Sequence, residues 1–355
     1  MVSASAKPQV SPLTKTKLWL PKQVLITPAA YELEWGRKIV ERVESFNIPV
    51  QQLSQNRITG LRGKDARETY AIAKNTLAIV NAPPSQLKLT PIPPSADWQF
   101  HLAQGCPAHC QYCYLAGSLS GVPVVKAYAN LPEILANLSN YEREGQDTTY
   151  EVSCYTDPLG IEHLTGSLAE CIRYFGTRNT AYLRWVSKFD SVDELLNLPH
   201  NGHTRCRTSV NADPVSRSLE GGTATVSQRL QGLRKLAFAG YPIGIVLAPI
   251  MEIADWQQHY NNLFELMAQT LDLDCDCDLT FELITHRFTP KSKEILQTWY
   301  PNSKLDLEES NRSQKRNKFG GVKYVYPKET MAELKDFIAA QIEEKFPQAQ
   351  ILYWT

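Results

Sequence analysis

The sequence predicts an α/β protein built around a partial (β/α)6 barrel. Between residues 96 and 285, short apolar strands alternate with helix-like segments, an order that is typical of βαβ units and of a parallel sheet. About six such units fit in this range, and a barrel of this kind carries its site at the carboxyl ends of its strands. The residues suited to chemistry sit at these strand ends, and they are Cys154, Lys188, Ser209, Asn211 and His286.

The composition is that of an ordinary globular protein, since 43% of the 355 residues are hydrophobic and 21% are charged. No apolar run approaches the roughly 18 residues that a membrane helix needs. The segment Met1–Pro8 lacks the charged stretch and apolar core of a secretory signal. Three of the eight cysteines are clustered, which favours metal ligation in a reducing compartment. We therefore expect a cytoplasmic protein that does not associate with membranes.

An α/β region is predicted between residues 26 and 95, before the barrel. Residues 1–25 are rich in Ser, Lys and Pro and are expected to be disordered. Apolar residues at helical spacing predict a helix over 29–46, and a second helix with an acidic first turn is expected over 64–80. A strand is expected between them at 48–53. A proline-rich connector then leads into the barrel.

The barrel range is predicted to alternate between strands and helices throughout. Strands are expected where β-branched and aromatic residues are bounded by turn residues. Helices are expected where the apolar spacing is helical, for example after the possible N-caps Thr225 and Ser227. The predicted strands are 149–154, 181–186, 205–210, 243–248 and 279–284, and the predicted helices are 131–141, 168–175, 192–198, 225–239 and 256–270.

Residues 286–355 are predicted to form a C-terminal region with a basic hairpin and a helix. The stretch 311–326 is rich in Lys and Arg, and Gly320-Gly321 can form a tight turn between two strand-like arms. A helix over 331–346 and a closing strand over 351–354 are expected to follow.

The motif with the clearest chemistry is Cys106-Pro-Ala-His-Cys110-Gln-Tyr-Cys113, spaced C-x3-C-x2-C. Iron–sulfur clusters in proteins usually take four thiolates, so three cysteines on one loop would leave one iron of a 4Fe–4S cluster open to a non-protein ligand. This spacing matches the signature of radical S-adenosylmethionine (SAM) enzymes, in which the open iron holds SAM. The alternative is a structural zinc site that needs four ligands, with His109 as the fourth despite its place between two cysteines.

Several further segments resemble the spore photoproduct lyase family, a group of radical SAM enzymes that repair DNA. The most specific are Ser153-Cys-Tyr-Thr-Asp-Pro-Leu-Gly-Ile-Glu-His-Leu-Thr and Thr285-His-Arg-Phe-Thr, because the cysteine motif alone indicates only the superfamily. The matches follow the family's order and cover the chain from about residue 30 to the end. The other matching segments are Pro94-Ser-Ala-Asp-Trp-Gln-Phe, Gly105 to Leu115, Ser209-Val-Asn-Ala-Asp, Ala239-Gly-Tyr-Pro-Ile-Gly, Ala248-Pro-Ile and Lys323-Tyr-Val-Tyr-Pro-Lys-Glu.

The resemblance implies reversal of the ultraviolet thymine–thymine cross-link called spore photoproduct. In the family, a 5′-deoxyadenosyl radical made from SAM removes a hydrogen atom from the lesion, the bond between the bases breaks, and a cysteine quenches the thymine radical. Cys154 matches that cysteine, and Tyr112 and Tyr114 match two tyrosines that handle the radical afterwards. A thiol S–H bond is weak enough for this role. The alternative is that Cys154 is a small buried hydrophobe and that both tyrosines only pack.

The resemblance also implies two cofactors, a 4Fe–4S cluster and SAM, and an electron donor such as flavodoxin or ferredoxin. It places Lys188 on the SAM carboxylate as a point charge. It places Thr156, where serine is expected, and Ser209 as hydroxyl partners, with the backbone near Ala248 beside the adenine. Without the resemblance, a lone lysine is usually solvated and a lone serine usually caps a helix or closes a turn.

The formal net charge of zero gives no global attraction to nucleic acid, so DNA contact must come from a local patch. The basic hairpin is the candidate, and phosphate contacts there would make binding to UV-damaged DNA depend on salt. The alternative is a solvated basic loop. The family has Phe-Gly-Tyr-Gly-Lys-Tyr at the hairpin, whereas this chain has Phe319-Gly-Gly-Val-Lys-Tyr324. The candidate DNA-binding residues are Arg312, Lys315, Arg316, Lys318 and Lys323.

Two alternatives to repair of spore photoproduct stay open. The altered hairpin motivates a radical SAM enzyme that acts on another nucleic-acid substrate. The zinc interpretation of the cysteine motif motivates a non-catalytic, zinc-containing DNA-binding protein. The remaining cysteines, Cys171, Cys206, Cys275 and Cys277, match no family position and are given no role.

Overall fold

The computed structural model describes residues 17–118, 121–273, 277–316 and 320–355. The strands in these ranges are β1 (Gln23–Ile26), β2 (Val50–Gln52), β3 (Thr76–Val80), β4 (Thr90–Ile92), β5 (Ala96–Phe100), β6 (Ala103–Gln104), β7 (His109–Cys110), β8 (Val125–Tyr128), β9 (Thr148–Val152), β10 (Ala181–Ser187), β11 (Thr204–Val210), β12 (Glu220–Gly221), β13 (Ile243–Ile250), β14 (Leu279–Thr285), β15 (Ser313–Arg316), β16 (Val322–Val325) and β17 (Gln350–Trp354).

The α-helices in the same ranges are α1 (Pro28–Tyr31), α2 (Glu34–Ser45), α3 (Ala66–Lys74), α4 (Pro84–Leu87), α5 (Leu131–Leu138), α6 (Glu162–Thr165), α7 (Ser167–Gly176), α8 (Asp213–Leu219), α9 (Val226–Phe238), α10 (Trp256–Leu271), α11 (Pro290–Trp299) and α12 (Lys328–Lys345). Short 3-10 helices cover Tyr114–Gly117, Ser139–Tyr141, Leu159–Ile161, Asp193–Leu195 and Glu309–Asn311. No helix in the described part of the chain is both long and apolar enough to cross a membrane.

The main sheet is largely parallel and curls as a half-barrel. Its strand order is β17-β14-β13-β11-β10-β9-β5-β4, and every neighbouring pair is parallel except β4 and β5. Along the chain, helices α7, α9 and α10 each connect one strand of this sheet to the next. The five strands predicted between residues 149 and 284 are confirmed as β9, β10, β11, β13 and β14. Because these strands are parallel, their carboxyl ends lie along one edge of the sheet.

One face of the main sheet carries a buried network of charges. Successive residues of a strand point to opposite faces, so Leu183 and Trp185 of β10 are buried on one face while Arg184 between them lies on the other. Arg184 and Arg207 both pair with Glu282, and Arg207 also pairs with Glu151. Burial alone would raise the pKa of Glu282, but the two arginines hold it below its usual range. The network therefore joins β9, β10, β11 and β14 below the strand ends.

A second, smaller sheet lies in the N-terminal part, with the order β2-β1-β3-β8-β6. The helix predicted over 64–80 ends at Lys74, because Thr76–Val80 is an apolar, almost fully buried strand at the centre of this sheet. Disorder up to residue 25 is also a wrong prediction, since β1 begins at Gln23 and buries Val24 and Leu25. Residues 1–16 lie outside the described ranges.

The domain boundary that was predicted between residues 95 and 96 does not separate the strands of the two sheets. Strands β6 and β8 lie within the predicted barrel range but pair in the N-terminal sheet, and β4 lies before the boundary but pairs in the main sheet. The predicted helix over 192–198 is only a 3-10 turn at Asp193–Leu195. The N-terminal sheet thus contains the strands that come before and after the cysteine motif in the sequence.

The C-terminal region contributes a hairpin, a helix and an edge strand of the main sheet. The predicted hairpin arms are confirmed as β15 and β16, which pair in an antiparallel fashion, and the predicted helix is confirmed as α12. Residues Leu334, Ile338 and Ile342 of α12 are buried, at the spacing of one helical face. The closing strand is β17, which pairs in parallel with β14 and extends the main sheet.

Candidate active site

The cysteine motif lies on a loop that several backbone contacts hold above the strand ends. Gly105 precedes it with a φ of +82°, and an added Cβ there would meet Val124 O at 2.3 Å, so only glycine fits. Within the loop, β7 pairs with β12 so that Cys110 lies opposite Glu220. Gln111 N donates to Leu219 O at 2.8 Å. The loop is therefore anchored to the segment that follows α8.

The three motif cysteines are half-buried free thiols. Burial raises the pKa of Cys106 to about 11, although Lys74 opposes this rise, and burial also raises the pKa values of Cys110 and Cys113. Because thiolates are the ligand form of cysteine, binding of a metal group here would release protons. The raised pKa values mean that all three side chains are protonated at neutral pH until such a group binds.

The three motif cysteines and His109 do not form a four-ligand zinc site in the described residues. Zinc needs four ligands around one ion, and no group of three or more His, Cys, Asp or Glu side chains in the described ranges could hold a single metal ion. His109, the proposed fourth zinc ligand, instead lies with Nδ1 3.1 Å from Tyr70 OH. A cubane cluster spreads its cysteine ligands over different iron atoms, so it does not require the three sulfurs to meet at one point.

Helix α3 of the N-terminal region contacts the cysteine loop through its side chains. Its last residue, Lys74, donates from Nζ to the carbonyl oxygens of Cys106 and Ala108. Tyr70 on the same helix stacks on Trp299 of α11, with the ring centroids 4.7 Å apart. The sequence analysis assigned no role to Lys74 or Tyr70, because nothing in the local pattern of α3 shows that it contacts a loop about thirty residues away.

Three of the four residues predicted to contact SAM meet at one point. Lys188 Nζ donates to Ser209 Oγ at 2.8 Å and to Ala248 O at 3.2 Å. Lys188 follows β10, while Ser209 and Ala248 lie near the carboxyl ends of β11 and β13, and the three strands are neighbours in the sheet. Lys188 Nζ also lies 5.6 Å from the ring centroid of Tyr112, one residue before the last motif cysteine. The predicted cofactor contacts therefore lie directly beside the cysteine loop.

Glu220 is a further site residue that the sequence analysis missed. Its Oε1 accepts from Lys188 Nζ at 3.0 Å and from Tyr112 OH, and its Oε2 lies 2.6 Å from Arg229 Nη2. Burial alone would raise the pKa of Glu220, but Lys188 and Arg229 lower it to about 2. This carboxylate is thus ionised and ties together the cation, the tyrosine and the cysteine loop. A lone glutamate in Leu-Glu-Gly-Gly carried no sequence signal for this role.

Substitution of Glu220 is expected to destabilise the protein strongly. Glu220→Ala leaves the buried Arg229 and the half-buried Lys188 without their carboxylate partner, and breaking a buried pair such as Arg229–Glu220 costs about 3–5 kcal/mol. Urea unfolding would measure the loss of free energy of unfolding. Glu41→Ala, at an exposed glutamate, is the matched control and should change it by less than about 0.5 kcal/mol. A loss for Glu220→Ala no larger than the control would contradict this role.

Cys154 lies in the turn after β9, beside the buried charge network. Ser153 before it has a φ of +60°, and Asp157 after it accepts hydrogen bonds from Ser187 Oγ and Lys188 N, each at 2.7 Å. Burial raises the pKa of Cys154, and Glu151 raises it further while Arg207 opposes the rise. The side chain is therefore a protonated thiol at neutral pH, the form that still carries a hydrogen atom to donate.

Thr156, the fourth predicted SAM contact, has an unsatisfied hydroxyl. Its Oγ1 is buried and has no hydrogen-bond partner among the described residues, while its backbone N donates to Ser153 O at 3.0 Å. Buried polar groups are normally paired. An unpaired hydroxyl beside the cysteine loop is consistent with a missing ligand that would satisfy it.

The two tyrosines that flank Cys113 have different surroundings. Tyr112 is buried and donates to Glu220. Tyr114 is half-buried, and the guanidinium carbon of Arg287 lies 5.5 Å from its ring centroid. Arg287 belongs to the Thr285-His-Arg-Phe-Thr segment but was not among the predicted site residues. Tyr112 therefore faces the predicted SAM contacts, whereas Tyr114 faces the C-terminal region.

The two remaining polar residues at the strand ends have buried positions. Asn211 donates from Nδ2 to Pro249 O at 2.7 Å and accepts from Tyr260 OH at 3.2 Å, which indicates a structural role. His286 is buried, and neither ring nitrogen has a partner among the described residues. Burial and the nearby Arg312 lower the pKa of His286 to about 3, so the imidazole stays neutral.

The predicted DNA-binding residues do not all lie on one exposed surface. Lys315 and Lys323 face each other across the hairpin, and Arg316 beside them is exposed. The side chain of Arg312 is only 2% exposed, because it stacks 3.9 Å from the Tyr326 ring centroid and pairs with Asp306. The guanidinium of Arg312 is thus enclosed in this structure, and its role as a phosphate contact stays a prediction. Lys318 lies outside the described residues.

Apart from Cys154, the described cysteines outside the motif have no assigned role in this site. Cys171 and Cys206 are fully buried in the core, and Cys277 is half-buried. Cys275 lies outside the described residues.

Comparison with known proteins agrees with this geometry. A family model described as spore photoproduct lyase matches residues 19–355. The spore photoproduct lyase of Bacillus subtilis (strain 168) is 38% identical over 340 residues, which cover 95% of this chain and 99% of that protein. The spore photoproduct lyase of Geobacillus sp. (strain Y412MC61) is 39% identical over 342 residues, which cover 96% of this chain and 100% of that protein.

Solved structures extend the likeness to three dimensions. A double mutant of spore photoproduct lyase with bound AdoMet, another abbreviation of SAM, and dinucleoside spore photoproduct has a TM-score of 0.91 to this chain at 38% identity. A spore photoproduct lyase complexed with dinucleoside spore photoproduct has a TM-score of 0.90 at 37% identity. Each comparison covers 96% of this chain and 100% of the other.

Proposed function

Since this chain belongs to the spore photoproduct lyase family, we propose that it is a radical SAM lyase that restores two thymines from spore photoproduct in DNA. The observation that carries the proposal is the meeting of Lys188, Ser209 and Ala248 beside the cysteine loop. Glu220 and Tyr112 connect that group to the loop. A cofactor that bridges the loop and the strand ends would contact all of these residues.

The residues present fit both implied cofactors. Cys106, Cys110 and Cys113 would hold a 4Fe–4S cluster through their thiolates and leave one iron open. For SAM, the Lys188 ammonium is a donor for its carboxylate, and the unpaired hydroxyl of Thr156 supplies a further hydrogen bond. When bound and reduced, these cofactors supply a 5′-deoxyadenosyl radical, which removes a hydrogen atom from the lesion.

The six parallel strands β5, β9, β10, β11, β13 and β14 are proposed to form the partial (β/α)6 barrel of radical SAM enzymes. Their unbroken parallel pairing supports this arrangement. The charged network of Arg207 with Glu151 and Glu282 would then be the floor of the barrel. In the sequence, Cys154 comes two residues after the end of β9, the strand that contributes Glu151 to this network.

Cys154 is proposed to donate the hydrogen atom that completes repair. Once the bond between the bases has broken, one thymine is left as a carbon radical, and the thiol S–H bond breaks homolytically to give it a hydrogen atom. The products of this step are a closed-shell thymine and a sulfur radical on Cys154. A phenol O–H of Tyr112 or Tyr114 can return a hydrogen atom to the sulfur, which leaves a phenoxyl radical and restores the thiol. The raised pKa of Cys154 supports this role because it keeps the thiol protonated.

The hairpin is proposed to bind the phosphates of UV-damaged DNA through Lys315, Arg316 and Lys323, with Arg287 as an added contact. Like charges placed directly opposite each other in a sheet are destabilising, yet Lys315 faces Lys323. Burial, Arg287 and Lys315 all lower the pKa of Lys323, which reflects this crowding of positive charge. Phosphates would relieve the repulsion. The lesion must also leave the base stack, which a damaged step makes easier.

Removing the two facing lysines should weaken DNA binding and its dependence on salt together. Each phosphate contact adds about one unit to the slope of log K against log salt. The double variant Lys315→Ala/Lys323→Ala should therefore lower the slope by about two. Fluorescence anisotropy with a labelled duplex between low and moderate salt would measure it. The exposed pair Lys22→Ala/Lys88→Ala is the control. An unchanged slope in the hairpin variant would exclude this surface as the site that binds DNA phosphates.

An electron donor such as flavodoxin or ferredoxin is proposed as a further partner, because the cluster must be reduced before SAM is cleaved. A cytoplasmic location is proposed with it, since the substrate is DNA and the cysteines must stay reduced.

The direct test is an anaerobic assay of cluster-loaded protein with SAM, a reductant and an oligonucleotide that carries spore photoproduct. Chromatography should detect restored thymine, and omission of SAM should abolish it. An oligonucleotide with a cyclobutane thymine dimer is the control for the lesion and should stay unchanged. Release of 5′-deoxyadenosine without thymine would keep the radical chemistry but reject this substrate, in favour of another nucleic-acid lesion.

A further inference from the structure

Lys74 is a buried cation that the proposed chemistry does not use. It is the last residue of α3, and the residue as a whole is only 5% exposed. Its Nζ donates to the backbone carbonyls of Cys106 and Ala108, which are part of the cysteine loop. A helix of the N-terminal region thus places an ammonium group against the backbone of the cysteine loop.

No carboxylate pairs directly with this ammonium in the described part of the chain, where no Asp or Glu oxygen lies within 4.0 Å of Lys74 Nζ. Buried charges are normally paired, because removing an ammonium from water is costly. The carboxyl end of α3 and two carbonyls supply only partial negative charge. The position is therefore incompletely balanced unless a further negative group binds nearby.

The nearest source of that negative charge is the motif itself. Lys74 Nζ donates to the carbonyl oxygen of Cys106, so the ammonium lies beside the backbone of the first predicted cluster ligand. Three thiolates outweigh the positive charge of an oxidised 4Fe–4S core, and reduction adds another negative charge. A cation held beside such a cluster stabilises the reduced form more than the oxidised form.

We propose that Lys74 is a positioning residue that balances the charge of the bound cluster and makes the cluster easier to reduce. The inference rests on the proposed function, because it requires the cluster to be present. It explains why a lysine is placed there, since a neutral donor could also hydrogen-bond two carbonyls. It also gives the N-terminal sheet a part in the chemistry, through α3, beyond packing.

The test compares the cluster's midpoint potential in charge-removing and charge-retaining variants. Lys74→Met removes the charge with little change in length, Lys74→Arg keeps it, and Lys64→Met makes the same change at an exposed lysine before the same helix. Anaerobic redox titration followed by electron paramagnetic resonance would give each potential. At the wild-type midpoint potential, the ratio of reduced to oxidised cluster in Lys74→Met should be about tenfold lower, which corresponds to about 59 mV for a one-electron couple. Lys74→Arg and Lys64→Met should stay close to wild type.

Equal shifts in Lys74→Met and Lys74→Arg, or no shift in Lys74→Met, would overturn the inference. If Lys74→Met holds no iron, the comparison moves to iron retained against a chelator by Lys74→Arg and Lys74→Gln. Retention by the arginine variant alone supports charge balance, and equal loss from both rejects it. A wild-type protein that binds no cluster would instead reject the proposed function, so the two failures are distinguishable.

Discussion

Replacement of Cys106, Cys110 and Cys113 together by alanine is expected to abolish both iron binding and SAM cleavage. The three thiols are the only protein ligands that the loop offers the proposed cluster, and an iron–sulfur cluster is held by such thiolates. Iron and sulfide in anaerobically reconstituted protein should fall below about a tenth of the wild-type amount. Formation of 5′-deoxyadenosine, followed by chromatography, should disappear with them.

The control for this experiment is Cys277→Ala, which removes a half-buried cysteine that lies outside the motif. It should load iron and cleave SAM as the wild type does. Urea unfolding should also show that the triple variant is folded, because its native loop is held by backbone contacts such as Gln111 N to Leu219 O. A triple variant that still binds iron and cleaves SAM would remove the basis of the proposed function.

Cys154→Ala is expected to uncouple SAM cleavage from repair. The cluster ligands and SAM contacts are intact in this variant, so 5′-deoxyadenosine should still form. The thymine yield should fall by about 100-fold, which is on the order of what a single positioned proton donor contributes to a rate. The thymine radical would then be quenched by other donors, and chromatography should show products other than thymine.

Serine at the same position provides a sharper comparison. Cys154→Ser keeps the size and hydrogen-bonding capacity of the side chain, but its O–H bond is too strong to give a hydrogen atom readily. Both variants should therefore lose thymine to a similar extent. If Cys154→Ser or Cys154→Ala produced thymine at the wild-type yield, hydrogen donation would have to be assigned to another residue.

The parts of the site that sequence could predict are those that rest on local spacing or on a specific motif. The C-x3-C-x2-C spacing indicated the cluster loop directly, and the alternation of strands and helices placed Lys188 and Ser209 at neighbouring strand ends. Parallel strands carry their carboxyl ends to one edge, so their meeting with Ala248 follows from the predicted topology.

The parts that sequence could not predict depend on contacts between distant segments. Glu220 reaches Tyr112 across 108 residues, and Lys74 reaches Cys106 across 32. No periodicity records such pairings. Charge patterning likewise counted Arg312 among the exposed DNA contacts, because it cannot show that Tyr326 and Asp306 enclose the guanidinium.

The misassigned elements have a similar cause. Thr76–Val80 continues the apolar pattern of α3, so it was predicted as the end of a helix, although its β-branched residues fit the centre of a sheet. Strand β8 was not predicted, because Val125–Tyr128 is short and gains its stability from pairing with β3 and β6. In both cases, tertiary pairing decided the local structure.

The most direct test of the account is the electron paramagnetic resonance spectrum of reduced, anaerobically purified protein, recorded before and after SAM is added. The reduced protein is expected to give the signal of a reduced 4Fe–4S cluster, and this signal should change when SAM binds at the open iron. Protein that contains zinc and gives no cluster signal would contradict it, and so would a cluster whose signal is the same with and without SAM.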